Sequence, residues 1–338
     1  MTQFIEKSGN IEKDSESEGF MIHLTYSYSD VIKPPQPYNF NLTAMVYATP
    51  WDFDGKNAFI GAKLSGSHYL LSIITSAGSE VSFKLYVSKN DTELIEKGIN
   101  YTIFAMALDE DLTAFYKLVN RDTFLRIINT KLNGIHLRTP INLWEGLLIG
   151  ICQQNASFKQ GWKMVMNLRK LIGTPLKIPD TERIYYTFPT PEDILNARQK
   201  LRKCSVGYRE KTIVNAAAFF KSAINEDIES IKGVGSYSAA IARILGKRRY
   251  TEAPIDRWFA RLLPRMYLGK DEKWTIKKAK EFAVNKWENW VGLALVMITI
   301  ITGAKMINQA IAAVEQGKLD PLNENAVTPL NLWKIKME

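Results

Sequence analysis

Residues 228–260 read IESIKGVGSYSAAIARILGKRRYTEAPIDRWFA. The stretch divides into three parts. A short helical run closes in a tight hairpin, Lys232-Gly233-Val234-Gly235-Ser236. An alanine-rich helix follows from Tyr237 to Leu245. A loop through Pro254 then brings Asp256 to the start of another helix over 257–263. The two glycines open backbone angles closed to other residues and let a ligand approach the main chain. A hairpin that ends at a helix start turns unpaired N–H groups outward, which makes a site for one phosphate. Ser238, Ala239, Ala240 and Ala242 are small enough for two helices to pack closely. Asp256 stands where an N-cap belongs, on an approach stiffened by Pro254.

Charge is concentrated around this stretch. The chain has 338 residues and a formal charge of +9. Residues 195–265 hold fifteen Lys and Arg against six Asp and Glu, which accounts for the whole excess. Such a footprint fits a nucleic-acid face. The length allows two domains. Cys152 and Cys204 are far apart, which argues against a disulfide framework and against secretion. His23, His68 and His136 are scattered, so no metal site is expected. The polar N-terminus shows no signal peptide, and an intracellular protein without a membrane span is expected. The longest apolar run, 291–304, is short for a bilayer and contains Gly292, Thr299, Thr302 and Gly303; it reads as a buried helix.

Taken in order, 1–19 reads as a mobile acidic tail. Residues 20–108 read as a β-rich N-terminal domain, with strands over 24–28, 41–47, 69–74 and 81–87 and a short helix over 91–97. From 109 to 318 the period is helical. Helices are expected over 111–118, 121–132, 144–152, 158–172, from Glu210 to about Ala223, over 272–290 and over 292–315. Residues 319–338 read as an irregular C-terminal tail. The fold class is α+β: a mostly α helix-hairpin-helix core preceded by a small antiparallel β-sheet.

The hairpin at 231–237, followed by Ala253-Pro254-Ile255-Asp256, resembles the signature of the helix-hairpin-helix DNA glycosylase superfamily. Four further stretches resemble family segments in the right order: 134–140 (GIHLRTP), 188–193 (FPTPED), 206–211 (VGYREK) and 290–294 (WVGLA). The β-rich N-terminal part is similar to the branch holding 3-methyladenine and 8-oxoguanine DNA glycosylases. The likeness implies a monomeric enzyme of base excision repair. It would act on double-stranded DNA carrying a damaged base, which is flipped out of the stack. Asp256 would be the catalytic carboxylate, stabilising charge that develops on the sugar.

By the same resemblance, Gln153, Gln154 and Asn155 sit at the turn that holds the family's DNA wedge. Tyr237, Trp144, Trp258 and Trp290 are candidates for the base pocket. Lys232, Gly233, Val234, Gly235, Ser236, Lys247, Arg248 and Arg249 are candidates for holding the DNA backbone. A monovalent cation at the hairpin is the only cofactor implied. Tyr237 departs from the lysine of bifunctional members, which implies a monofunctional enzyme, closest to the 3-methyladenine type and acting on an alkylated base. Two other readings stay open at this point: an 8-oxoguanine-type glycosylase and a catalytically silent helix-hairpin-helix DNA-binding protein.

Overall fold

The computed structural model describes residues 22–336, apart from 65, 67, 223–226 and 324–325. The expected tail over 1–19 lies outside the described residues. The N-terminal part is a four-stranded antiparallel sheet in the order β1-β4-β3-β2, from β1 (Thr25–Ile32), β2 (Asn57–Lys63), β3 (Tyr69–Ala77) and β4 (Glu80–Val87). In β4, Val81, Phe83, Leu85 and Val87 are buried on one side, the alternation of a half-covered strand. Two helices cover that side, α1 (Phe40–Met45) and α2 (Thr92–Met106).

Three elements here differ from the sequence reading. Residues 41–47 are not a strand, because the Asn39 side chain accepts from Leu42 N–H and starts α1. Strand β2 escaped notice because its five central residues are all buried and show no alternation. Helix α2 runs on to Met106, well beyond residue 97.

The helical part contains α3 (Thr113–Arg121), α4 (Ile127–Lys131), α5 (Leu143–Gln153), α6 (Phe158–Ile172), a small hairpin of β5 (Pro175–Lys177) and β6 (Ile184–Tyr186), α7 (Pro191–Asn196), α8 (Glu210–Ser222), α9 (Ser236–Lys247), α10 (Arg257–Leu268), α11 (Ile276–Trp287), α12 (Val291–Ile301) and α13 (Ile307–Glu315). The helix expected over 121–132 is reduced to α4. The one expected over 292–315 breaks after Thr302, where Gly303 and Ala304 both take positive φ. The class is α+β, with the sheet first and a helical core after it.

The second side of the sheet packs on the helical part through Phe59, Leu71 and Tyr86. Gly61 leaves room there for the Tyr185 ring, since a Cβ would fall 2.6 Å from it. Beneath this seam lies a buried ion cluster. Arg169 donates to both Asp52 oxygens at 2.9 Å, and Arg138 pairs with the same carboxylate at 3.4 Å. Burial alone would push Asp52 up, but the two guanidiniums and Thr49 hold it far below its ordinary range. The segment after α13 also ties the two parts together. Leu330 and Leu332 are buried, Trp333 lies edge-on to Phe53, and Pro329 O accepts from Tyr47 N–H at 2.8 Å.

Candidate active site

The hairpin forms as its sequence suggests. Gly233 has φ +99, and a Cβ there would fall 2.2 Å from Thr212 Oγ1, so glycine is required twice over. Gly235 is different. It is the N-cap of α9 with φ −101, which any residue adopts, and nothing lies within 4 Å of the place a Cβ would take. Gly235 supplies no side-chain acceptor, so the first-turn N–H groups of α9 stay available to an anion. Asn215 Nδ2 braces the hairpin by donating to Lys232 O at 3.1 Å. Lys232, Gly233, Gly235 and Ser236 are exposed. Val234 is buried and its N–H donates to Ile231 O at 2.9 Å, so it anchors the turn and does not face a ligand.

Asp256 caps α10. Its Oδ1 accepts from Trp258 N–H at 2.9 Å and from Phe259 N–H at 3.0 Å. Oδ2 has no hydrogen-bond partner among the described residues. Burial pushes the carboxyl above its ordinary range, against the pull of the Phe259, Trp258 and Asp256 backbone N–H groups. Tyr237 stands close by. Burial, and then the charge of Asp256, push its hydroxyl far up.

Next to this pair is a cavity of about 130 Å³ between the sheet side and the helices. Tyr237, Tyr47, Phe158, Trp162, Phe188 and Phe259 are among its walls, and its polar lining includes Gln153, Glu145 and the Asp52–Arg138–Arg169 cluster. The Tyr47 and Trp162 rings are stacked at 5.8 Å with an 18° tilt. Tyr47 has φ +52, a conformation that strains a non-glycine residue. Gln153 Nε2 is a buried donor without a partner among the described residues. Glu145 Oε2 accepts from Ile141 N–H at 3.1 Å, and burial pushes this carboxyl up to about 7.

Several expected site residues lie elsewhere. Trp144 is core, donating from Nε1 to Pro189 O at 2.8 Å. Trp258 donates to Lys305 O, and Trp290 packs on Phe115 and Tyr250; neither lines the cavity. Gln153 faces inward across Gly161, whose Cβ would sit 2.4 Å from its Oε1, so it belongs to the cavity and not to a wedge. Asn155 remains at the exposed tip, with φ +48 and its Nδ2 3.4 Å from the Tyr208 hydroxyl. Gln154 is half-buried, and its carbonyl accepts from Tyr208 and Arg209.

The basic residues after α9 also move. Arg248 is tied into Glu110, Tyr250 and Phe104 O, so it is a structural ion. Lys247 and Arg249 are exposed, but at the far end of α9, about 18 Å from the hairpin at 1.5 Å per residue. The sequence reading missed Tyr47, Trp162, Phe158 and Tyr208. Phe158 and Trp162 did carry a signal, since they stand four apart on α6 immediately after the Gln153–Asn155 turn and so share its face.

No protein-family model matches the chain, and no curated protein sequence matches it. Solved structures do match it. The 3-methyladenine DNA glycosylase of Archaeoglobus fulgidus aligns with a TM-score of 0.65 at 18% identity, over 80% of this chain and 96% of that one. MBOgg1, solved with a low affinity DNA ligand, gives 0.59 at 21% identity, over 88% and 100%. The 8-oxoguanine glycosylase/lyase of Clostridium acetobutylicum gives 0.58 at 18% identity, over 82% and 97%. The chain therefore has the fold of the helix-hairpin-helix DNA glycosylases.

Proposed function

We infer that this protein is a monofunctional DNA glycosylase of base excision repair, working as a single copy on duplex DNA with a damaged base. The observation that carries the reading is the Asp256–Tyr237 pair beside an aromatic-walled cavity, with Tyr237 in the first turn of α9, whose N-terminus carries no side-chain cap. The hairpin amides hold a phosphate, and the base turns out into the cavity. As the C1′–N bond breaks, its electron pair leaves with the base and positive charge grows on the sugar. Oδ2 of Asp256 stabilises that charge, orients the water whose oxygen bonds to C1′ and takes the proton that water loses. No lysine is among the described residues lining the cavity, which supports water over an amine as nucleophile.

The stacked faces of Tyr47 and Trp162 favour an alkylated, positively charged base. A second reading, an oxidised guanine, is favoured by the unpartnered Gln153 Nε2, which a base carbonyl would satisfy. A monovalent cation at the hairpin would share Ile231 O and Lys232 O. Each already accepts one bond and keeps a second lone pair, so the donor set fits a weakly held ion. The test is single-turnover excision from a panel of duplexes, each with one lesion, read as alkali-labile strand. Release of 3-methyladenine supports the first reading and release of 8-oxoguanine the second. No release from any member would overturn the enzymatic reading.

A further inference from the structure

Between the wedge turn and the hairpin runs a ledge of exposed positive charge. Residues 198–204 form a 3₁₀ helix, RQKLRKC, that leads through a turn into α8. Arg198, Lys200, Arg202, Lys203 and Lys211 are all exposed, and none has an ion-pair partner among the described residues. Some neighbouring charges are paired, as in Arg243 with Glu229, Arg265 with Asp271 and Lys221 with Glu192, whereas the ledge gathers five without a pair within fourteen residues. The ledge is firmly seated. Leu201, Cys204 and Val206 are fully buried, and Asn167 Nδ2 donates to Cys204 O at 3.3 Å.

Its position follows from contacts at either end. Tyr208, 62% exposed, reaches Asn155 and Gln154, while Arg209 stacks on the Tyr208 ring at 4.5 Å. One turn further on, Thr212 packs under Gly233 and Asn215 holds Lys232 O. The ledge therefore continues one surface from the exposed tip of the wedge turn to the hairpin.

We propose that the ledge over 198–211 is a second phosphate-binding surface, gripping the duplex backbone on the wedge side while the hairpin grips it on the other. The proposal rests on the DNA reading above and moves the electrostatic contact away from Lys247, Arg248 and Arg249. Like charges held together on a rigid support repel one another, and a polyanion is the partner that relieves this. Each phosphate contact also releases condensed counterions, so its loss is read directly in the salt dependence of binding.

The test measures anisotropy of a labelled duplex carrying a non-cleavable abasic mimic, between about 50 and 200 mM salt. The K200A/R202A/K203A variant should bind with a slope of log K against log salt shallower by about 2.7, at roughly 0.9 per phosphate. Its melting temperature should match or exceed that of the unmodified protein, since repulsion is removed. A K247A/R249A variant should keep the original slope. An unchanged slope in the triple variant, with melting temperature intact, overturns the proposal. A Gly235→Val variant separates the two levels. If it binds like the unmodified protein, the hairpin reading fails as well, and the ledge proposal falls with it.

Discussion

Gly150 of α5 and Ser238 of α9 meet backbone to backbone. Ser238 Oγ donates to Gly150 O at 3.1 Å, and a Cβ on Gly150 would fall 2.6 Å from Ser238 O. One turn along, a Cβ on Gly146 would fall 2.8 Å from Ala242 O. Helix α5 ends in the turn that carries Gln153 and Asn155, and α9 begins at the hairpin. Contact this close makes one rigid block of the two helices, because neither can shift without a backbone clash. Tyr237, next to Ser238, is thereby held over the cavity into which Gln153 points.

The two hairpin glycines should separate folding from binding. Gly233→Ala should destabilise the protein by about 1–3 kcal/mol, since both its φ of +99 and Thr212 oppose a side chain. Gly235→Val should lower the melting temperature less than Gly233→Ala does, since its φ is ordinary and its surroundings are open and only the N-cap preference for glycine is lost. It should still lose duplex affinity for every sequence alike. Thermal melting and anisotropy on the two variants check this, and equal loss of stability in both would remove the case for a phosphate at Gly235.

Asp256→Asn should abolish excision and keep duplex binding. The amide oxygen can still accept from Trp258 and Phe259 N–H, so the α10 cap survives. Burial raises the Asp256 carboxyl, so the fold holds the ionised form less well than the unfolded chain does. Removing that charge should leave the melting temperature equal or higher, and a large fall would point to a structural role only. Excision by the unmodified protein needs the carboxylate. Its acid limb should therefore lie at higher pH than for an ordinary aspartate.

The hairpin and the Asp256 cap were legible because both are local: glycine angles, small-residue spacing and a capping position need only neighbours in sequence. The cavity was not legible. Tyr47, Gln153, Trp162 and Phe259 come from four separate stretches, and only the seam between sheet and helices brings them together. Arg248 looked like a phosphate ligand because its partner, Glu110, lies 138 residues away. Trp144 and Trp290 were drawn toward the site by their chemistry, while their packing on Phe220 and Phe115 is decided by tertiary contacts. Residues 41–47 carry a short apolar run that period alone cannot assign, and the Asn39 cap decides it.

Glu145 should make stability depend on pH. Its carboxyl is raised from 4.5 to about 7, by burial first. Below the lower value both folded and unfolded chains hold the proton, and its contribution is complete. As pH rises through the window the unfolded chain releases its proton first, so stability falls by on the order of 3 kcal/mol and levels off above about 7. Glu145→Gln keeps the acceptor for Ile141 N–H and removes this fall. The melting-temperature gain of the variant should therefore grow between pH 5 and pH 7, and a constant difference would place the titration elsewhere.

Tyr237 lines the cavity beside Asp256, and burial keeps its hydroxyl protonated. A neutral phenol in that place cannot form a Schiff base. The unmodified protein should leave intact abasic strands that break only on alkali or heat, and borohydride should trap no protein–DNA adduct. Tyr237→Lys would put an amine next to the sugar with Asp256 still in place. Some trapping should then appear, and it should rise with pH, because burial lowers a lysine's pKa while the neighbouring Asp256 carboxylate raises it again. The decisive measurement is on the unmodified protein. Efficient trapping there would require an amine from outside the cavity lining, and Lys232, exposed on the hairpin, would be the first to replace.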